Sequence, residues 1–203
     1  RYIRRQRQMC IRDRLIASSN EGKVKEFKKL FQAHKVFSLT DLNIEDAVED
    51  GLSFFENALI KAKHASFYSK KFTIADDSGL VVPDLGFEPG IYSARYAGEG
   101  ASDIENRSHL ISKLNNIDRE ELDAYYVCVL VGLRSYGDPM PIITQGEIHG
   151  KVSIKSSGDG GFGYDKIFYP SGYDCSMASI DSEVKNKISH RAIATKKFID
   201  IYD

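Results

Sequence analysis

The sequence lacks long hydrophobic runs and the cysteine patterns of secreted or zinc-binding proteins. Its longest apolar run, residues 127–133, is far shorter than the roughly 18–20 residues that a membrane helix needs. No apolar signal core follows the basic start of the chain. The three cysteines are odd in number and include no Cys-x-x-Cys pair, which argues against a disulfide framework and a zinc site. These absences predict a protein of the reducing cytoplasm with no membrane segment.

Proline is also scarce, with five residues scattered singly along the 203-residue chain, and no repeat or low-complexity tract is visible. The length therefore suits one large domain, or two lobes that share a core. Positive and negative charges nearly balance, at 28 Lys and Arg against 29 Asp and Glu, but they are unevenly placed. Residues 1–14 carry six Arg and one Asp, whereas residues 15–203 carry 22 basic and 28 acidic residues, a net charge of −6.

The basic start has two interpretations. One is an arm that binds nucleic acid or an anionic membrane. The other is an upstream or artefactual segment that belongs to no fold. We favour the second, because the chain lacks an initiator methionine and its first patterned element starts only at Leu15. We therefore expect residues 1–13 to be an extension outside the domain, residues 14–203 to form a single domain, and neither nucleic acid nor membrane to be a partner.

Alternating strand and helix patterns predict an α/β protein with a mixed sheet. Helices are expected after Asn20, over 53–69 with Ser53 and Glu56 as a capping box, over 103–114 and over 193–201. The β-rich segments lie at 14–18, 72–75, 80–82, 125–134, 142–148 and 166–169. Strands and helices alternate early and strands pair later, which indicates a sheet with both parallel and antiparallel neighbours.

Residues 18–23 combine hydroxyl groups, backbone N–H groups and a lysine where a strand leads into a helix. Free N–H groups and the helix dipole both favour phosphate at such a position. The segment is not a Walker A loop, because Ala17 and Val24 stand where that motif has Gly and Ser or Thr. An ordinary capped helix with a solvated Lys23 remains an open alternative.

Helical geometry separates two lysines of the second predicted helix. Each residue advances about 100° around the axis, so Lys61 falls beside Phe54 at the margin of the apolar face, whereas Lys63 points to water. Asn57, Lys61 and His64 form a polar stripe along that margin. Such a stripe is either the edge of an ordinary surface or one wall of a binding cleft.

Two adjacent carboxylates, Asp76 and Asp77, follow the apolar segment 72–75, and Ser78 and Gly79 complete a predicted acidic turn. Ligands bind at the carboxyl ends of strands in open α/β sheets. Carboxylates at that position suit a Mg²⁺ ion and removal of a proton from water. Because successive strand side chains diverge, one Asp should face the site and the other should face away. A simple Asx turn is the alternative.

Three glycines, Gly158, Gly160 and Gly163, match the Gly-x-Gly-x-x-Gly pattern of dinucleotide-binding proteins. That pattern needs a helix after the glycines, whereas a β-rich segment ending at Pro170 follows them, so we reject it. The loop can still let a ligand approach its backbone, with Phe162 as a stacking surface. A flexible turn is the alternative.

His190 and Arg191, just before the last predicted helix, suit recognition of a phosphate or an oxygen-rich edge. Alone they are a weak signal, because such residues at a helix start usually lie on the surface. The sequence shows no Ser-His-Asp order and no Cys-His pair that would indicate nucleophilic catalysis, and no His and Cys cluster that would suit zinc.

Taken in order, six segments resemble the inosine/xanthosine triphosphate pyrophosphatases, a family that acts on noncanonical purine nucleoside triphosphates. They are SSNEGK at 18–23, FFENALIKAKHA at 54–65, IADDSGL at 74–80, PGIYSARYAG at 89–98, GGFGYDKIF at 160–168 and SHR at 189–191. The resemblance runs from about Leu15 to the C-terminus. It implies an elongated mixed β-sheet with flanking helices, two lobes and a central cleft.

The resemblance also implies Mg²⁺-dependent hydrolysis of ITP, dITP and XTP to the monophosphate and pyrophosphate, by a homodimer that cleans the nucleotide pool. Asp77 would be the general base and, with Glu49, a Mg²⁺ ligand, although Glu45, Asp46 or Asp50 could serve in place of Glu49. The implied triphosphate-binding residues are Ser18, Ser19, Asn20, Glu21, Gly22, Lys23 and Lys61, with Ser78 nearby. The implied base pocket consists of Phe162, Gly163, Tyr164, Asp165, Lys185, His190 and Arg191.

Two rival functions stay open at this point. A related pyrophosphatase for a modified pyrimidine or another nucleotide would share the phosphate and metal chemistry, and only a panel of substrates separates it. A non-catalytic nucleotide-binding module is the second rival. Asp77 and Lys61 argue against that module, because a pure sensor has no use for a base that faces the cleft.

Overall fold

The computed structural model describes residues 13–31 and 34–202. Of the predicted extension at 1–13, residues 1–12 lie outside the described part, and Asp13 is the first residue of β1. The strands are β1 (Asp13–Ile16), β2 (Lys35–Ser38), β3 (Phe72–Val81), β4 (Glu121–Leu133), β5 (Ile142–Ser153) and β6 (Phe168–Pro170). The α-helices are α1 (Glu21–Leu30), α2 (Phe54–Ser69), α3 (Asp103–Asn116), α4 (Ser182–Ile188) and α5 (His190–Tyr202). None of the helices described is long and apolar enough to cross a membrane.

The described strands form one mixed sheet in the order β2-β1-β3-β4-β5-β6. β1 runs parallel to both of its neighbours, so that Ile16 lies opposite Ser38 of β2 and Ile74 of β3. β5 and β6 are antiparallel, with Val152 opposite Phe168. The predicted mixed β-sheet with flanking helices is therefore confirmed.

The helices α1, α2 and α3 begin where their capping residues predict. The Asn20 side chain accepts a hydrogen bond from the backbone N–H of Lys23, and the Ser53 hydroxyl accepts one from Glu56. Ser102 forms a full capping box at the start of α3. These local bonds satisfy backbone donors that a helix leaves open at its first turn, which is why short sequence patterns locate the helix starts.

The predicted acidic turn at 76–79 is wrong, because β3 continues through these residues to Val81. The apolar residues on both sides of the carboxylates are halves of one strand, and the buried Leu80 and Val81 extend it. The last helix starts at His190 instead of residue 193, since the Ser189 hydroxyl accepts a hydrogen bond from the backbone N–H of Ala192.

The described chain divides into two compact units. The first unit consists of the described residues up to Asp77, of Val129–Gln145 and of the segment from Ala194 onward. Its buried aromatic rings include Phe31, Phe72 and Phe198, with the Phe198 ring centroid 6.3 Å from that of Phe31 and 6.4 Å from that of Phe72.

The second unit consists of Ser78–Cys128 and Gly146–Ile193. Its core is a cluster of apolar side chains from β3, α3, β4, β5 and β6, which includes Leu80, Leu110, Tyr126, Val152 and Phe168. Each unit thus has an apolar core of its own, against which the side chains of its candidate site are held.

A substitution in the first unit tests the packing around Phe198. A Cβ atom at Gly132 would lie 2.6 Å from Cε2 of that fully buried ring, so the ring or the strand would have to shift. Gly132→Ala should therefore lower the free energy of unfolding by about 1–3 kcal/mol. Urea denaturation measures the change, and Gly137→Ala, with nothing within 4 Å of its new Cβ, is the matched control. Equal stabilities of the two variants would contradict this packing.

Candidate functional site

The loop between β1 and α1 presents hydroxyl and backbone N–H groups at a helix N-terminus. The backbone N–H of Ala17 donates to the carbonyl of Ile74, 2.8 Å away, which holds the start of the loop against β3. The N–H of Asn20 then donates to the hydroxyl of Ser18 at 3.2 Å. The predicted phosphate-binding residues Ser18, Ser19, Asn20, Glu21, Gly22 and Lys23 occupy this loop and the first turn of α1.

Lys23 is directed at β3. Its ammonium Nζ lies 3.1 Å from a carboxylate oxygen of Asp76, whose side chain is almost fully buried. Lys23 is therefore not the solvated lysine of an ordinary helix start, because it pairs with a buried carboxylate. One acidic residue of β3 is therefore tied to the loop that carries the hydroxyl groups.

Lys61 is buried on α2, whereas Lys63 is exposed, as helical geometry predicts. The Lys61 Nζ lies 2.9 Å from Oδ1 of Asp77 and 3.2 Å from Oε1 of Glu49. Asp76 and Asp77 thus meet different lysines, which is the divergence expected of neighbouring strand side chains. The first unit brings two lysines and three carboxylates together.

Asn57 joins this cluster, although the sequence indicated only its place on the polar stripe of α2. Its amide Nδ2 donates to Oδ2 of Asp77 at 3.4 Å, and its Oδ1 accepts from the backbone N–H of Gly51 at 2.9 Å. A Cβ at Gly51 would lie 2.7 Å from that Oδ1, so only glycine fits. Asn57 therefore connects Asp77 to the segment that follows Glu49. Its position one helical turn before Lys61 is the only sequence signal for this role.

Charge and burial act together on the pKa values of the cluster. Burial by itself lowers the pKa of Lys61, but the attraction of three carboxylates, led by Asp77, outweighs burial and raises that pKa. Burial raises the pKa of Asp77 above its ordinary value, and the charges of Lys61 and Lys23 offset only part of that rise. The ammonium of Lys61 therefore stays charged, and Asp77 is a stronger proton acceptor than an exposed aspartate.

The acidic segment 45–50 contributes one residue to the cluster and uses others elsewhere. Asp46 accepts a hydrogen bond from the hydroxyl of Ser19, and the backbone carbonyl of Glu45 contacts Nε2 of His64 at 2.9 Å. Glu49 shares the ammonium of Lys61 with Asp77. Four acidic residues were candidates for metal binding. Among them, Glu49 is the one that shares a contact partner, Lys61, with Asp77.

The donor set of Glu49 and Asp77 fits a hard divalent cation. Carboxylate oxygens of a loop residue and a strand residue lie within 3.2 Å of the same Lys61 nitrogen, so the two side chains are close to each other. Mg²⁺ is usually bound by one or two carboxylates, with waters and substrate phosphates as its other ligands. In the part of the chain that the structure describes, no group of three or more His, Cys, Asp or Glu side chains could hold a metal ion.

In the second unit, the glycine-rich loop carries Phe162, Gly163, Tyr164 and Asp165 and is not followed by a helix, as expected. The buried Asp165 accepts hydrogen bonds from the backbone N–H of Phe162 at 3.0 Å and from Nζ of Lys185 at 2.8 Å. Gly161 has φ +71° and its Cβ would collide with Asp165, so glycine is required there. Asp165 thus holds the loop and Lys185 together.

Cationic side chains surround the ring of Phe162. The Nζ of Lys185 lies 5.2 Å and the Cζ of Arg191 5.8 Å from its centroid. Nη2 of Arg191 also donates to the hydroxyl of Ser78 at 2.9 Å. The ring of the buried His190 stacks on that of Tyr126. The second unit therefore brings together residues that the family resemblance implies for the base pocket.

Sequence reasoning missed three residues that hold this loop. The backbone N–H of Gly163 donates to Asp103 at 2.7 Å, and Nη1 of Arg107 donates to the Gly163 carbonyl at 2.6 Å. The N–H of Tyr164 donates to the hydroxyl of Tyr126 at 3.2 Å. Asp103 and Arg107 are one helical turn apart on α3, but no local pattern links them to a loop so distant in sequence.

Known proteins match nearly the whole chain. The sequence model of the Ham1 family matches residues 14–201. Proteins named dITP/XTP pyrophosphatase are 49% identical in Legionella pneumophila (strain Paris), over 89% of this chain and 93% of that protein, and 47% identical in Acinetobacter baumannii (strain ACICU), over 91% of each.

Solved structures agree with the sequence matches. A HAM1 protein from Coxiella burnetii has a TM-score of 0.86 and 34% identity, over 94% of this chain and 98% of that chain. The Staphylococcus aureus Ham1 protein has a TM-score of 0.81 and 38% identity, over 95% of this chain and 100% of that chain. The similarity therefore extends over both units and not only over the short motifs.

Removing the buried ammonium should destabilise the first unit. Lys61→Met leaves the carboxylates of Asp77 and Glu49 together without their shared cation, so the free energy of unfolding should fall by about 3–5 kcal/mol. Urea denaturation at neutral pH with a chelator measures this loss. Lys63→Met, the same change on the exposed side of α2, should shift stability by less than about 0.5 kcal/mol. Similar losses in both variants would contradict the assigned role of Lys61.

Proposed function

This chain belongs to the Ham1 family, and from that premise we propose that it hydrolyses the noncanonical purine nucleoside triphosphates ITP, dITP and XTP to the monophosphate and pyrophosphate. The observation that carries the proposal is the buried carboxylate of Asp77, 2.9 Å from the ammonium of Lys61. A strong proton acceptor beside a fixed cation suits attack of water on a phosphate. The names of the relatives support the substrate class.

Local cations have to overcome an unfavourable overall charge. Residues 15–203 have a net charge of −6, and a nucleoside triphosphate carries about −4, so the field of the whole domain repels the substrate. Lys23, Lys61 and the N–H groups at the start of α1 would neutralise the phosphate oxygens at short range. Ser18 and Ser19 would add hydroxyl donors to the same chain of phosphates.

Asp77 takes the proton from the water that attacks the α-phosphorus, and pyrophosphate is then the leaving group. Lys61 stabilises the negative charge that develops on the phosphate oxygens and keeps Asp77 in position. A Mg²⁺ ion held by Glu49 and Asp77 would supply further positive charge to the phosphates. Positioning and electrostatics, both provided by groups already in place, would account for most of the acceleration.

Base selection would depend on the donors around Phe162. Hypoxanthine and xanthine present a 6-oxo acceptor where adenine presents an amino donor. Arg191, Lys185 or a backbone N–H of the glycine-rich loop would pair with the oxo group, whereas adenine would leave such a donor unsatisfied. Each unsatisfied buried group costs about 1–3 kcal/mol, which is enough for a preference of one to two orders of magnitude.

The proposal also includes features that rest on the sequence pattern and on the family resemblance. The protein would act as a homodimer in the cytoplasm, with Mg²⁺ as its metal and neither nucleic acid nor membrane as a partner. Residues 14–203 would form the catalytic domain, with residues 1–13 as an extension that takes no part in the reaction.

Loss of the proposed base should abolish most turnover. Asp77→Asn keeps the size and two polar atoms of the side chain but cannot accept the proton, so pyrophosphate release from ITP and XTP should fall about 10²–10⁴-fold. Pyrophosphate release from ITP, XTP, GTP, ATP and dTTP with Mg²⁺ measures both the rate and the preference of the native protein. ITP and XTP should be the best substrates of that panel.

The exposed Asp84→Asn is the matched control and should leave the rates unchanged. Unchanged turnover in Asp77→Asn would refute the role of the base. Faster turnover of dTTP or a modified pyrimidine than of ITP would refute the purine assignment, and nucleotide binding without any turnover would favour a non-catalytic binding module.

The dependence on metal concentration tests the proposed ligand Glu49. Glu49→Gln removes one negative charge from the metal site, so the Mg²⁺ concentration for half-maximal pyrophosphate release should rise about tenfold or more. Asp50→Asn, at the exposed neighbouring position, should leave that concentration unchanged. A larger effect of Asp50→Asn would move the ligand to the next residue, and pyrophosphate release that persists in a chelator would contradict the need for a metal.

A further inference from the structure

Tyr126 lies on β4 in the core of the second unit and contacts two of the three segments that carry the candidate base-recognition residues. Only 7% of its surface is exposed, and its ring packs edge-on against Phe168 with the centroids 4.9 Å apart. Burial alone would therefore indicate that Tyr126 has only a structural role. Two further contacts of the side chain, with His190 and with Tyr164, lead towards the proposed site.

The ring of Tyr126 supports the first of these segments. It stacks on the imidazole of His190, with ring centroids 4.7 Å apart and planes inclined by only 6°. His190 is followed by Arg191, whose guanidinium reaches Ser78 and the ring of Phe162. A flat ring held by the core thus fixes the start of α5, from which both candidate recognition side chains project.

The hydroxyl of Tyr126 holds the second segment. It accepts a hydrogen bond of 3.2 Å from the backbone N–H of Tyr164, in the loop that carries Phe162 and Asp165. Burial raises the pKa of Tyr126 well above its ordinary value, so this buried oxygen carries no charge beside the neutral N–H group that it accepts from. A phenylalanine would leave the Tyr164 N–H without this acceptor.

We propose that Tyr126 is a positioning residue for base discrimination, which sets the distance between the His190–Arg191 pair and the loop at 162–165. This inference rests on the proposed function. Tyr126 acts through its neighbours, since its ring and hydroxyl are both occupied by His190 and Tyr164. Donors that distinguish an oxo group from an amino group must be held within a fraction of an ångström, because hydrogen bonds weaken steeply with poor geometry.

Two substitutions separate the contributions of the ring and the hydroxyl. Tyr126→Phe keeps the stack on His190 and removes only the acceptor for the Tyr164 N–H. Tyr126→Leu removes both. Tyr125→Phe is the matched control, because the adjacent Tyr125 is half-buried and its ring lies 5.3 Å from that of His149, away from the proposed site.

The measurement is kcat and KM for dITP and dATP with Mg²⁺, for the native protein and the three variants. Tyr126→Phe should raise KM for dITP about 2–10-fold with kcat nearly unchanged, as expected for loss of one hydrogen bond. Tyr126→Leu should raise it by a further factor of similar size and reduce the dITP to dATP ratio of kcat/KM about tenfold. Tyr125→Phe should resemble the native protein in both quantities.

A purely structural role predicts a different result. If the Tyr126 variants lose kcat equally for dITP and dATP and keep the native ratio, the proposal is wrong. If Tyr126→Leu does not fold, Tyr126→Phe, which retains the ring, decides alone: an unchanged KM for dITP would overturn the proposal.

Calorimetric binding of inosine monophosphate and adenosine monophosphate distinguishes failure of this inference from failure of the proposed function. A native protein that releases no pyrophosphate from dITP refutes the hydrolase. A weaker preference for inosine monophosphate in the Tyr126 variants would still support the positioning role, and an unchanged preference would refute it.

Discussion

The ammonium of Lys61, shared between Asp77 and Glu49, is the interaction on which the site of the first unit depends. Removing an ion from water costs several kcal/mol, and mutual attraction repays this cost only when the partners are close and well hydrogen-bonded. Here a helix, a strand and a loop each supply one partner, at 2.9 and 3.2 Å from the same nitrogen atom. Burying these charges is unfavourable, but the contacts between them hold the helix, the strand and the loop together.

Each unit has a buried carboxylate paired with a lysine, and in each a polar side chain at this pair fixes a glycine-containing loop. In the first unit Asp77 and Lys61 lie beside Asn57, which accepts from the backbone of Gly51. In the second unit Asp165 receives Lys185 and a backbone N–H of its own loop, and Gly161 leaves room for the carboxylate. Neither glycine could carry a side chain, because the polar group that fixes the loop occupies that space. Rigid polar contacts of this kind keep donors in place before a ligand arrives, which is the condition for electrostatic catalysis.

The sequence predicted what depends on local geometry and missed what depends on distant contacts. The caps at Asn20 and Ser53, and the burial of Lys61 in contrast to Lys63, follow from bonds and angles within a few residues. The predicted acidic turn at 76–79 is wrong because the local pattern does not show that two lysines, each on a different helix, pair with these carboxylates within the strand. Likewise Asp103, Arg107 and Tyr126 bond to residues 60, 56 and 38 positions away in the chain. The family resemblance supplied roles for the motif residues, but none for these supports.

Asp76 and Asp77 point in opposite directions, which fixes the number of β3 residues that can precede them. Ile74 is fixed opposite Ile16 of β1, and the side chains alternate from there to the two carboxylates. An insertion of one residue after Ile74 would move the acidic pair about 3.3 Å along the strand and turn each carboxylate to the other face of the sheet. Lys23 would then face Ala75 instead of its carboxylate, and Lys61 would face Asp76 in place of Asp77. This stretch can therefore exchange one apolar side chain for another, but the gain or loss of a single residue would break the pairing of Lys23 with Asp76.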